Sequence, residues 1–158
     1  MINATIDKES EAMTQEYPNL TNQLCFAIYN ANRLFNQFYK QKLASFDLTY
    51  TQYIVLLTLW ERDKLSLHEL GKKIDLASNT LTPLLKRLEK KGYLARIRSK
   101  EDHRQLIISL TETGKSLQAD VEQELRSCLG SFAPAATDKI QRMIVEHQQL
   151  VDELKKLL

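Results

Sequence analysis

The chain has 158 residues, 43% of them hydrophobic and 27% charged, with a net charge of +2. That balance belongs to a folded globular chain of about one domain and excludes disorder over most of its length. Four glycines and three prolines favour long helices over a strand-rich fold, and no apolar run approaches the ~18 residues of a membrane span.

The opening stretch MINATIDKESEAMTQEYP is polar and lacks the apolar centre of a signal peptide. Residues 1–17 therefore read as a polar arm and the chain as cytoplasmic, where thiols stay reduced. Two cysteines in that setting do not suggest a structural disulfide framework. With no CxxC and no Cys/His cluster, neither a metal nor another cofactor is expected.

From Pro18, the residues Leu20, Leu24, Ala27, Ala31, Leu34 and Phe38 recur at three- and four-residue steps, predicting a helix to about Ser45. It carries Cys25, about two turns in, with Tyr29 and Tyr39 nearby. A free cysteine there is either a small packed hydrophobe or, as a thiolate, a redox switch. The residues alone leave both readings open.

Thr49-Tyr-Thr-Gln52 is a capping-box pattern. It opens the helix YTQYIVLLTLWERD, which is apolar nearly all round and so expected to be buried. A second capping box, Ser66-Leu-His-Glu69, starts a short helix ending near Ile74. After DLAS a further helix runs from about Asn79 to Lys91, with Leu81, Leu84, Leu85 and Leu88 on one side and Gly92 closing it in the left-handed region. Pro83 fits only if that helix begins late, near Asn79. Two short helices joined by a tight turn make a helix-turn-helix.

YLARIR (93–98) and QLIISL (105–110), joined by SKEDHR, predict a hairpin, which directly after a helix-turn-helix is a wing. Thr111 then caps a helix to about Gly130, Pro134 breaks the chain, and Thr137 or Asp138 opens the last helix. Ile140, Met143, Ile144, His147, Leu150, Val151, Leu154 and Leu157 form an apolar stripe there. That stripe is expected to pack on the first helix and on a second copy of the chain, with His147 serving packing rather than a metal.

Charge is concentrated. Between Lys86 and Arg104, eight basic side chains face three acidic ones, about +5, leaving about −3 for the remainder. A basic stripe confined to one region is the footprint of a polyanion partner. The expected fold class is mainly α with a small β-wing, a winged helix-turn-helix that dimerises through its N- and C-terminal helices. Residues 49–111 form the DNA-binding lobe, and 18–48 with 112–158 the dimerisation region.

This order of elements, with the wing segment RSKEDHRQLIISLTETG, resembles the MarR family from Leu20 to Leu158. The resemblance implies double-stranded operator DNA as partner, with the recognition helix in the major groove. Ser78, Asn79, Thr80 and Thr82 are suited to bases or phosphates, and Lys86 and Arg87 to phosphates or a guanine edge. The bland reading of the short polar side chains is helix capping. Arg96 and Arg98 add wing charge. Asp102 and Arg104 stand at the family's wing positions, where the arginine enters the minor groove and the aspartate orients it. His68 and His103 sit beside these groups as solvent-facing or phosphate-adjacent side chains.

Within the family, NQLCFAIYNANR looks like the organic-hydroperoxide-sensing, OhrR-type repressors, with Cys25 at the sensor position and Tyr29, Tyr39 and Tyr50 where that type keeps tyrosines. This implies that Tyr39 and Tyr50 of the partner subunit hydrogen-bond Cys25 or its neighbour. It also implies organic hydroperoxide as inducer and Cys128, as in a two-cysteine branch, as the resolving thiol of the other subunit. Phe26, Phe46 and Tyr53 are expected to make an apolar setting that selects bulky peroxides. Two other readings share the fold: a broader oxidation-sensing regulator of virulence, biofilm or resistance genes, and a repressor released by a small phenolic ligand. An enzyme is not expected, since the basic helix and wing would go unused by a thiol peroxidase.

Overall fold

The computed structural model describes residues 19–99, 105–129 and 137–158, except the side chains at 127–129 and 137. Among these residues six α-helices and one three-stranded antiparallel sheet give the expected class, mainly α with a small β-wing. Two compact units divide the chain, Met1–Phe38 and Tyr39–Leu158.

The first helical segment is more broken than its apolar repeat suggests. The Asn19 side chain accepts from the Thr21 N–H at 3.2 Å and caps a 3-10 turn, Leu20–Asn22. Gln23 is extended, and α1 (Leu24–Lys42) starts only after it. A second 3-10 turn, Ala44–Phe46, ends at Asp47, which is left-handed at φ 51°. No residue of α1 is buried, and Leu24, Tyr29, Leu34 and Phe35 are each more than half exposed in the single chain.

Thr49 starts α2 (Tyr50–Glu61) with both bonds of a capping box: the Gln52 N–H donates to Thr49 Oγ1 at 3.3 Å, and the Thr49 N–H to Gln52 Oε1 at 3.0 Å. Val55, Leu56 and Leu59 are fully buried, but Leu57 looks outward, so the helix is buried on one side rather than all round. Ser66 and Glu69 form the second capping box, which opens α3 (Leu67–Ile74). Asp75, left-handed at φ 56°, makes the turn into α4 (Ser78–Lys90). A Cβ on Gly71 would lie 2.8 Å from the Leu76 carbonyl oxygen, so only glycine lets this turn close on α3.

α4 begins late, at Ser78, as Pro83 requires, and Pro83 is the sixth residue of the helix. The carbonyl its missing N–H would have served belongs to Asn79. Both residues are exposed, so the lost bond falls on the solvent side of the helix. Leu81, Leu85 and Leu88 are fully buried, each contributing about 2 kcal/mol relative to exposure. With Leu43, Leu56, Leu59, Leu70, Leu94 and Ile108 they form the core.

One strand is absent from the sequence reading: β1 (Leu65–Ser66), two residues that run straight into α3. It pairs with β3 (Leu106–Leu110), which pairs in turn with β2 (Leu94–Arg98), giving the order β1-β3-β2. Ile108 stands opposite both Leu65 and Arg96. Thr111 then caps α5 (Glu112–Leu129) as expected, accepting from the Gly114 N–H at 3.0 Å and donating to the Gly92 carbonyl at 2.5 Å. Gly92 is left-handed, φ 77°.

The last helix, α6 (Thr137–Leu157), exposes Ile140, Met143, Ile144, Val151, Leu154 and Leu157, so a single chain leaves its apolar stripe uncovered. His147 turns back on its own helix, its Nδ1 2.7 Å from the Met143 carbonyl.

Two glycines separate two kinds of constraint. A Cβ on Gly114 would overlap the Tyr93 carbonyl oxygen, whereas one on Gly92 meets nothing within 4 Å and suffers only the left-handed backbone. Gly114→Ala should lower unfolding stability by about 2–3 kcal/mol, as overpacking does, and Gly92→Ala by about 1 kcal/mol. Urea unfolding of the two variants checks the difference; equal losses would mean that the α5–wing contact yields freely.

Candidate nucleic-acid interface and thiol site

Burying Leu81, Leu85 and Leu88 turns the other side of α4 to solvent. Ser78, Asn79, Thr80, Lys86 and Arg87 are exposed there, and Thr82 is half-buried. Ala77, the residue before the helix, makes no side-chain cap, so the first-turn amides keep no side-chain acceptor from it. Thr80 Oγ1 lies 3.4 Å from Asn79 Oδ1, while Thr82 Oγ1 donates back to the Ser78 carbonyl at 2.7 Å. Among the described residues no ion pair includes Lys86 or Arg87.

Arg96 has a different place from the one its charge suggests. Its Nε and Nη2 donate to Glu89 Oε2 at 2.8 and 2.6 Å, and its backbone N–H to Glu89 Oε1 at 3.1 Å. This fork braces β2 against α4, and the Arg96 side-chain hydrogen bonds hold the Glu89 carboxyl below the usual carboxylate range. Arg98, by contrast, is exposed at the end of β2. Asp102, His103 and Arg104 lie outside the described residues, and His68 is exposed on α3.

Three further sets of polar contacts have no signature in the sequence. Asp63 Oδ1 accepts from the Leu110 and Lys64 N–H groups, both at 2.8 Å, and Oδ2 from the Ser109 hydroxyl at 3.3 Å, fixing β3 to the end of α2. Lys91, just past α4, pairs with the Asp47 carboxylate at 2.9 Å, and the Tyr93 hydroxyl reaches the Phe46 carbonyl at 3.4 Å. An acidic residue between two elements carries no local signal of such a distant partner.

Cys25 is exposed, with Sγ 3.4 Å from Gln23 Oε1. Because the helix starts at Leu24 rather than Pro18, the thiol lies in the first turn, not two turns in. One turn on, Tyr29 is 60% exposed and stacks on Phe26 at 6.4 Å.

The other tyrosines form a separate aromatic stack. Tyr39 and Tyr50 lie face to face with centroids 4.2 Å apart, and Tyr53 stands 5.6 Å from Tyr39. Trp60 meets Tyr53 edge-on at 6.2 Å and donates its Nε1–H to the Gly114 carbonyl at 2.8 Å. Burial, then the neighbouring phenols, raises the Tyr39 hydroxyl and pushes Tyr53 up to about 12. Cys128 is in the last turn of α5, and its side chain lies outside the described residues.

The Glu89–Arg96 fork has a pH signature. A carboxyl held low in the folded state stabilises it fully above the unfolded-state value, about 4.3, and loses that contribution as pH falls through the folded value. Glu89→Gln should therefore cost stability at pH 7, by under about 1 kcal/mol because the carboxylate is 36% exposed. The gap should close in acid. Unfolding midpoints of both proteins from pH 7 to 3 measure it, and a gap that widens in acid would sink the assignment.

No helix among the described residues is long and apolar enough to cross a membrane. Residues 37–121 match a family described as transcriptional regulator SarA/Rot. The chain is 38% identical over 146 residues to the HTH-type transcriptional regulator SarZ of Staphylococcus epidermidis, covering 92% of this chain and 93% of that protein. It is 45% identical over 103 residues to the organic hydroperoxide resistance transcriptional regulator of Bacillus subtilis, covering 65% and 70%. Among solved structures, reduced AbfR bound to DNA superposes with a TM-score of 0.79 at 46% identity, covering 92% of this chain and 99% of that one. The disulfide-formed AbfR gives 0.67 at 47% identity, covering 87% and 92%. Helix order, wing and these likenesses agree: the chain belongs to the SarA/Rot family of MarR-like winged-helix transcriptional regulators.

Proposed function

We propose that the chain is a thiol-based redox repressor that holds palindromic double-stranded operator DNA as a homodimer and releases it when organic hydroperoxide oxidises Cys25. The observation that carries this reading is the exposed Cys25 thiol in the first turn of α1. It gains support from a relative, AbfR, solved both reduced on DNA and in a disulfide form. The protein would work in the cytoplasm, reduced until challenged.

In this reading the lobe of residues 49–111 reads the operator. The N-terminal half of α4 enters the major groove, where Ser78, Asn79, Thr80 and Thr82 meet bases or phosphates, and Lys86 and Arg87 hold the backbone. Arg98, Asp102 and Arg104 serve the wing, while Arg96, bound to Glu89, sets the angle between wing and helix. Residues 18–48 and 112–158 join two copies, with 1–17 as an arm. The uncovered apolar rows of α1 and α6 support that assembly, since such rows are costly in water. A two-fold dimer presents two α4 helices to a two-fold site.

The chemistry is stoichiometric rather than catalytic. The Cys25 thiolate attacks the O–O bond of the hydroperoxide, forming a sulfenic acid and releasing an alcohol. The Cys128 thiol of the partner subunit then condenses with the sulfenic acid, forming a disulfide and water. In this scheme the Tyr39 and Tyr50 hydroxyls of the partner subunit hydrogen-bond Cys25 or its neighbour, and Tyr29 belongs to the same sensing group. A second reading of the same fold is a sensor of a wider range of oxidants; the SarZ and AbfR likenesses cover more of the chain than the organic hydroperoxide regulator does, and their printed names specify no oxidant.

Binding to an operator selected from random DNA, before and after cumene hydroperoxide, tests the proposal. Wild type should let go, Cys25→Ser should stay bound, and Cys128→Ser should lose the covalent dimer seen by non-reducing mass measurement. Hydrogen peroxide in parallel separates the two oxidant ranges. If oxidised wild type keeps its hold, the thiol is a bystander and the repressor answers to a ligand such as a small phenol.

A further inference from the structure

Cys25 is not the only oxidisable group held in a defined geometry. Tyr39 in the last turn of α1 and Tyr50 at the start of α2 face each other across the Ala44–Phe46 turn. Their ring centroids are 4.2 Å apart and their planes 19° from parallel. Both are half-buried, so small aqueous oxidants reach them while the stack limits their motion. The neighbouring pairs are looser: Tyr53 lies 5.6 Å from Tyr39 and 6.5 Å from Tyr50.

We propose that Tyr39 and Tyr50 form a modification site, coupled into an intrachain dityrosine by organic alkoxyl radicals, the one-electron reduction products of organic hydroperoxides. Each alkoxyl radical removes a hydrogen atom from one phenol, the electron from the ring and the proton from its oxygen, and leaves as an alcohol. Each tyrosine is left a phenoxyl radical, with spin on the oxygen and on the ring carbons beside it. The new carbon–carbon bond joins one such carbon of each ring. It forms along the π orbitals, perpendicular to the ring planes, so a face-to-face pair is already on the path of approach.

The two hydrogens at the joined carbons then move to the oxygens and restore both phenols. Two tyrosines lose two hydrogen atoms in all, and two radicals become two alcohols. The product ties α1 to α2 through a bond that cellular thiols do not reverse, unlike a disulfide or a sulfenic acid. It needs no reaction at Cys25 and so stands apart from the thiol reading.

The test exposes the full-length protein to alkoxyl radicals generated from tert-butyl hydroperoxide and ferrous iron, followed by tryptic mapping. The expected product joins the peptides 34–40 and 43–62 with loss of two hydrogens, carries blue biphenol fluorescence, and fragments to place the bond at Tyr39 and Tyr50. It should form equally in Cys25→Ser, persist in Tyr53→Phe and vanish in Tyr39→Phe and Tyr50→Phe, whose rings still stack. Circular dichroism verifies that the phenylalanine variants fold. Cross-links that favour Tyr53, that join two chains, or that need Cys25 would overturn the proposal. So would simple oxygen addition to tyrosine without coupling.

Discussion

The constraint on which the rest of the molecule depends is the burial of one side of α4. Leu81, Leu85 and Leu88 fall at four- and three-residue steps and are fully buried. Once they are committed inward, helical geometry alone fixes what remains outside: Ser78, Asn79, Thr80, Lys86 and Arg87. The proposed reading surface is therefore a by-product of core packing and has few alternatives of its own. This also explains how Pro83 is tolerated. It lies on the solvent side, away from the buried leucines, so the leucine side is undisturbed.

Apolar packing fixes the helix but not the wing, whose orientation depends on a ring of polar and backbone contacts. Asp63 holds β3 by the Leu110 amide, Glu89 holds β2 by Arg96, and Thr111 bridges Gly92 and α5. Gly114 lets the first turn of α5 come against the Tyr93 carbonyl, and the Gly114 carbonyl accepts from Trp60. Individually these are modest interactions. Together they connect α2, α4, both long strands and α5, so the wing cannot tilt against α4 without breaking several directional bonds at once. Lys91 and Tyr93 extend the connection to Asp47 and Phe46, in the corner between α1 and α2.

Local chemistry was legible in the sequence, and distant pairing was not. Both capping boxes, the left-handed Gly92 and the Thr111 cap are determined within a few residues, and each is where the pattern put it. The two-residue β1 has no periodicity to read and exists because β3 offers it a partner. Charge counting marked Arg96 as basic but could not show that Glu89, seven residues earlier, engages it. The apolar repeat ran smoothly through Gln23, so the helix start was misplaced by about two turns. What stops it is Asn19, whose side chain favours a 3-10 turn over helix continuation. That local competition moves Cys25 to the first turn of α1.

Under the two proposals, the thiol and the stacked phenols would divide oxidants by electron count. A hydroperoxide molecule delivers two electrons' worth of oxidation to a nucleophile, and an anionic sulfur is by far the better one; neutral phenols, with Tyr39 and Tyr53 both raised above the ordinary range, are inert to it. A radical removes one hydrogen atom, and two radicals on isolated side chains have no productive outcome. Two on stacked rings do. Under the two proposals, the exposed thiol near a helix start and the aromatic pair at the α1–α2 corner would respond to different products of the same hydroperoxide. The first response would be reversible by thiol exchange and the second would not. A regulator carrying both would distinguish intact peroxide, which it should report and recover from, from the radicals that appear once metal-driven breakdown has begun.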